Sequence, residues 1–194
     1  MGVRKLLGLA IVILLIALAA YYVMVKLPGA VEGSSGTSVG EPADAAATAS
    51  EIARPAEATL SHIAYVHDGD TLYLQPDGTT SRADEITVRL IGIDTPELRP
   101  EVECYALEAR DRLREMLPEG ADVWIMADRE KLDRYGRSLL YLWTTEGTSV
   151  NLDLVRNGYA TALNIAPSNT YWRQFDAAET EATDARLGLW GACR

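Results

Sequence analysis

The stretch VRLIGIDTPE, residues 88–97, decides how this chain is read. Val88, Leu90, Ile91 and Ile93 give it the apolar pattern of a strand. Arg89, Asp94, Thr95 and Glu97 add four polar groups able to serve one site. Arg89 stands between Val88 and Leu90, so on a strand it points to the face opposite theirs. Asp94 directly follows the apolar run, and the fixed φ of Pro96 stiffens the turn that carries Glu97. Such groups can hold a cation, take a proton from water and grip an anion. Alone, each has a commoner role: a turn residue for Asp94, a solvated loop residue for Glu97, a surface ion pair for Arg89.

Two separated motifs change that balance. Upstream, DGDT at residues 68–71 offers Asp70; downstream, DRYGR at 133–137 offers Arg134, Tyr135 and Arg137. Asp70 opens one strand and Asp94 follows another, so strand pairing can join them as oxygen ligands of a hard cation such as Ca²⁺. Arg89 and Arg137 can each donate paired hydrogen bonds to phosphate oxygens and offset the charge on a pentacovalent phosphorus. Glu97 is the candidate general base. Arg134 and Tyr135 are candidates to contact neighbouring phosphates or a base face. The three motifs together point to metal-assisted cleavage of a phosphodiester. His62 and His67 have no partner spacing for a metal site or triad, and no Gly-rich phosphate loop, GxSxG or HExxH occurs.

Around these motifs the chain reads as five strands and three helices. Strands are expected at 59–66, from 72, at 86–91, 123–126 and 138–143. Helices are expected at 104–117, 149–157 and 170–187, with Ser149 capping the second and Gly158 ending it. Five strands with a helix between the third and fourth fit an α+β protein built on a small closed β-barrel, of which the OB-fold is one kind.

The N-terminal part differs in composition. Residues 6–25, LLGLAIVILLIALAAYYVMV, contain no charge and are long enough to cross a bilayer as a helix; Arg4 and Lys5 precede them. Residues 1–26 are therefore expected to form an uncleaved signal anchor, the alternative being a signal peptide cut near Ala17–Ala19. Residues 27–58 are rich in small and polar residues and read as a flexible, disordered tether. Residues 59–194 form the expected domain, placed outside the cytoplasm by either N-terminal reading: on a single-pass membrane protein, or secreted if the segment is cleaved.

The whole chain has net charge −10, and residues 59–194 hold 14 Lys and Arg against 23 Asp and Glu. That balance argues against tight, sequence-independent coating of a duplex, while leaving room for a local basic cleft and a bound cation. Export would place Cys104 and Cys193 where disulfides persist, so the two are expected to pair and tie the C-terminal tail to the first helix. The alternative is two unpaired thiols.

In order, DGDT, RLIGIDTPE, CYALEA, DRYGRSLLYLW, NLDLVRNGYA and GLWGAC resemble the thermonuclease (micrococcal-nuclease-like) family across essentially all of residues 59–194. The resemblance implies an OB-fold barrel with three helices that hydrolyses DNA and RNA, single strands preferred, with Ca²⁺, leaving 3′-phosphate ends. It implies Asp70, Asp94 and the Thr95 carbonyl as Ca²⁺ ligands. Arg89, Glu97 and Arg137 would be the active-site residues, and Arg134 and Tyr135 would contact substrate phosphates. Two departures stand out: the LRPEVEC loop after Glu97 is shorter than the Lys-rich loop of the best-known member, and Leu163, Asn164 and Ile165 stand where that member has pocket tyrosines. The expected protein is a monomeric nuclease tethered to the membrane. The competing expectation is a catalytically weak or inactive domain that binds nucleic acid or protein. A sugar- or peptide-binding barrel has no specific support in the residues.

Overall fold

The computed structural model describes residues 51–76, 78–79 and 81–193. The expected anchor at 6–25 lies outside them, as does most of the tether. Among the described residues no helix is long and apolar enough to cross a membrane.

Strands β1 (Thr59–Val66), β2 (Thr71–Gln75), β3 (Ile86–Leu90), β5 (Asp122–Leu132) and β6 (Ser138–Trp143) close into a barrel in the order β1-β2-β3-β6-β5. β3 and β6 run parallel, and the other neighbours are antiparallel. A separate two-residue pair, β4 (Ile93–Asp94) with β7 (Thr161–Ala162), extends the chain just past β3. Helices α1 (Ala106–Met116), α2 (Val150–Arg156) and α3 (Trp172–Asp184) follow in the expected places, with a single turn, α4 (Leu189–Ala192), at the end. This is an α+β fold on a five-stranded OB-like barrel.

Strand alternation makes the core. Leu72, Leu74, Val88 and Leu90 point inward and are essentially inaccessible, while Tyr73, Thr87 and Arg89 between them point out. In β6 both faces are buried, because α3 covers the outer one: Tyr141 meets Tyr171 edge to face at 4.7 Å between ring centroids and lies 6.2 Å from Phe175. A strand covered on both sides needs a continuous apolar run, which SLLYLW supplies. Ser149 caps α2, accepting the Leu152 N–H at 3.4 Å.

The packed body begins earlier than position 59. Ile52 is 4% exposed, and its carbonyl accepts the Trp143 Nε1–H at 3.0 Å. Arg54 lies over the Trp124 ring, 4.3 Å from its centroid. Residues 51–58 thus pack on the barrel instead of serving as tether. One isoleucine among small and polar residues shows no periodicity from which this could be read. Cys104 and Cys193 are joined as a disulfide, which ties the C-terminal tail to the start of α1.

Candidate active site

The β1–β2 turn supplies the buried half of the site. Asp68 accepts the backbone N–H groups of Asp70 and Thr71 at 3.2 and 2.7 Å, a turn that short acidic side chains favour. This turns Asp70 inward, where it is 3% exposed. Its Oδ2 accepts both the N–H and the hydroxyl of Thr95 at 3.0 Å, and its Oδ1 accepts the Thr71 hydroxyl at 3.1 Å. The turn can press this closely because residue 69 is glycine: a Cβ there would stand 2.7 Å from Thr95 Oγ1.

Arg89 lies on the outer face of β3, directly across from Thr71 of β2. Its Nη1 donates to the carbonyls of Leu90 and Ile93 at 3.0 and 2.8 Å, which fixes the side chain. Its Nη2 lies 2.6 Å from Asp94 Oδ1 and 3.1 Å from Asp70 Oδ2. A carboxylate from the β1–β2 turn and one from β4 therefore converge on one nitrogen. Beyond them, Glu97 is exposed, and Glu103 holds its backbone from both sides: Glu103 accepts the Glu97 N–H at 2.8 Å and donates its own N–H to the Glu97 carbonyl at 2.9 Å.

Arg137 enters from the β5–β6 turn. Asp133 organises that turn, accepting the backbone N–H groups of Tyr135 and Arg137, both at 2.9 Å, and Arg137 Nε–H at 2.7 Å. Arg137 Nη1 reaches the Thr71 hydroxyl at 3.4 Å. Polar contacts thus run unbroken from Asp133 through Arg137, Thr71, Asp70 and Arg89 to Asp94. Arg134 donates to the Tyr135 hydroxyl at 2.6 Å and lies over its ring, and Tyr135 is 68% exposed at the turn's tip. Arg89, Tyr135, Arg137, Leu139, Leu163 and Ile165 contribute to a cleft of about 420 Å³. Leu163 and Ile165 therefore face that space.

Burial pushes the Asp70 carboxyl above its ordinary value; Arg89 pulls it down, Asp68 pushes it up, and the Thr95 hydrogen bonds lower it, leaving it raised. The Glu97 carboxyl is also raised, first by lost solvent, then by Asp70, Asp68 and Asp94, with Arg89 opposing. Glu97 thus feels three other carboxylates, Asp70, Asp68 and Asp94, with Arg89 opposing them. That surplus fits a hard divalent cation. Among the described residues no three acidic, His or Cys side chains gather into a complete metal cage. Asp70, Asp94 and the Thr95 carbonyl could offer oxygens to such a cation, with water and substrate completing the six to eight that Ca²⁺ takes.

Four positioning residues escaped the sequence reading. Thr71 links Asp70 to Arg137, Asp133 orients Arg137, and Glu103 holds Glu97. Asn151, fully buried in α2, donates to the Ile91 carbonyl at 2.9 Å and accepts the Leu142 N–H at 3.0 Å, fastening the end of β3. Asp133 had a signal: an aspartate three residues ahead of a turn glycine. Asn151 had one too, as an amide between Val150 and Leu152.

The fold and site define an OB-like barrel with a mixed carboxylate and guanidinium centre on its rim. The family model described as "Staphylococcal nuclease homologue" matches residues 87–192. The chain is 35% identical over 128 residues to a thermonuclease of Staphylococcus intermedius, covering 64% of this chain and 72% of that one. It is 32% identical over 128 residues to a thermonuclease of Staphylococcus hyicus, with the same coverage. Endonuclease YhcR of Bacillus subtilis (strain 168) is 33% identical over 137 residues, 64% of this chain but 11% of that protein. The chain belongs to the staphylococcal nuclease homologue family.

Proposed function

We propose that this protein is a Ca²⁺-dependent nuclease that acts outside the cytoplasm, cutting DNA and RNA, single strands preferred, to 3′-phosphate products. That it is a nuclease-type hydrolase follows from its family. The observation that carries the finer reading is the convergence of Asp70 and Asp94 on Arg89 Nη2, with Arg137 joined to them through Thr71.

Each side chain then has a task. Glu97 takes a proton from the attacking water; its raised affinity for protons suits a base. Its carboxylate makes no hydrogen bond to another described residue, which leaves it available. Arg89 and Arg137 donate to the phosphoryl oxygens as charge gathers there. Arg134 and Tyr135 contact the neighbouring nucleotide. Asp70, Asp94 and the Thr95 carbonyl would hold Ca²⁺, which would supply positive charge to offset that of the phosphate. The Cys104–Cys193 bridge favours an oxidising compartment. The uncharged run at 6–25 supplies a membrane anchor and leaves the catalytic body, as a monomer, on the outer side.

The test is to give the full chain single-stranded DNA and RNA with Ca²⁺ or with EGTA, beside Glu97→Gln. Cleavage is expected only with Ca²⁺, and the variant should lose about 10²- to 10⁴-fold in kcat while melting at the same temperature. Nucleic acid bound but left whole by the Ca²⁺-loaded wild type would replace the enzyme with a binding module.

A further inference from the structure

The barrel's outer face continues past the candidate site on the side away from the cleft. In the order β1-β2-β3-β6-β5, the cleft lies on the β6 and β5 side of Arg89. On the other side come β2 and β1. Thr71 pairs with Arg89, Tyr73 with Thr87, and Tyr65 with Tyr73. Side chains alternate along a strand, so Thr71 and Tyr73 share the outer face, two residues or roughly 7 Å apart.

Aromatic rings gather there. Tyr65 and Tyr73 lie 6.1 Å apart between centroids, and His67 meets Tyr65 edge-on at 6.4 Å. Tyr65 is 40% exposed. Arg114 of α1 donates to the Val66 carbonyl at 3.0 Å and carries its guanidinium carbon 5.7 Å from the Tyr65 ring centroid. A groove of about 390 Å³ opens at these rings, and Arg82, Glu85 and Glu119 also line it. Exposed aromatic rings beside arginines are what the bases of a single strand stack on. The two glutamates disfavour a phosphate inside the groove but can accept hydrogen bonds from the amino edge of a base, as carboxylates do from cytosine.

We propose that the Tyr65–Tyr73 groove is a second nucleotide subsite, holding a base of the substrate strand on the side of the scissile phosphate opposite the cleft. The strand would cross the rim from cleft to groove over Arg89 and Thr71. This rests on the nuclease reading and extends it to a specificity surface outside the catalytic residues.

The test compares full-length wild type with Tyr65→Ala/Tyr73→Ala and with Tyr65→Phe/Tyr73→Phe. The substrates are a cytosine-containing DNA oligonucleotide and a mononucleoside nitrophenyl phosphodiester too short to reach the groove. Oligonucleotide binding is measured in parallel by fluorescence anisotropy, in the Glu97→Gln background. The alanine pair should lose about tenfold in kcat/KM on the oligonucleotide and in binding, and nothing on the short substrate. The phenylalanine pair should keep near wild-type values, because the ring faces remain. Equal losses on both substrates, or no loss on the oligonucleotide, would overturn the subsite. If the wild type cuts neither substrate, the nuclease reading fails and binding alone decides: tenfold weaker binding by the alanine pair keeps the groove, and unchanged binding removes it.

Discussion

Asp70 and Asp133 each orient an arginine, by opposite means. Asp70 is buried in the barrel rim, and the Thr95 groups that hold it come from 25 residues away in sequence. Burial raises its carboxyl above the ordinary value. Asp133 sits in the β5–β6 turn, and its partners lie within four residues. Burial pushes its carboxyl up, but the Arg137 side chain and the Arg137 and Tyr135 N–H groups outweigh that and leave it lowered. The rim is a product of tertiary packing; the turn carries its own order. Damage to packing should therefore disorder the Arg89 side and spare the Arg137 side.

The largest expected separation comes from the disulfide. The bridge spans 89 residues of sequence and fastens the segment immediately after the Glu97–Glu103 clamp. In the chain-entropy model such a closure contributes about 4–5 kcal/mol. Cys104→Ser with Cys193→Ser should lose close to that in urea unfolding. Amide exchange should speed up at 97–104 while the amides of Tyr135 and Arg137 keep their protection. A loss below about 1 kcal/mol, or equal loosening of both regions, would show that the rim does not depend on this tie.

Two glycines sharpen the contrast. Gly92 has φ +78°, and a Cβ on it would stand 2.5 Å from Phe175 Cε2. Gly136 has φ +81° with nothing within 4 Å of such a Cβ. Both substitutions by alanine carry the cost of a left-handed backbone, about 1–2 kcal/mol. Only Gly92→Ala adds overpacking, about 1–3 kcal/mol more. Thermal unfolding should therefore rank Gly92→Ala as the more damaging by roughly 1–3 kcal/mol. Equal costs would mean that α3 yields freely and that the rim is less tightly packed than its contacts imply.

The same division explains what the sequence made legible. The five barrel strands and three helices followed from period and punctuation, which are local properties. Arg89, Asp70 and Asp94 could be marked as polar groups at strand ends, and the fold brings them together. Their partners were another matter. Nothing in DGDT announces that Thr71 will reach Arg137, and nothing around Ile52 announces that its carbonyl will meet Trp143. β4 and β7 escaped because a two-residue strand has no period to detect. β5 runs on to Leu132 because its exposed far end pairs with Ser138 as an arm of the hairpin bearing Asp133, beyond the apolar run that marked its start. Contacts far apart in sequence need the closed barrel to define them, and the Asp133 turn shows the converse, since its hydrogen bonds were implicit in DRYGR itself.

The smallest effect expected is in that turn, and it carries a definite sign with pH. A carboxyl held below its ordinary value contributes stability above the unfolded-state pKa and loses it as pH falls through the folded one. The turn should thus be indifferent to pH from neutrality down to about 4 and loosen only below the ordinary 3.8. Carbon-detected NMR titration of Asp133 should give a midpoint below 3.8, with faster exchange of the Tyr135 and Arg137 amides at the same pH. In Arg137→Ala the midpoint should move up, because the side-chain hydrogen bond that opposes burial is gone. Asp133→Asn should leave global stability within about 1 kcal/mol, as suits a half-buried ion pair confined to one surface turn. A wild-type midpoint at or above 3.8 would mean that charge does not hold the turn, and that backbone geometry alone aims Arg137 toward Thr71.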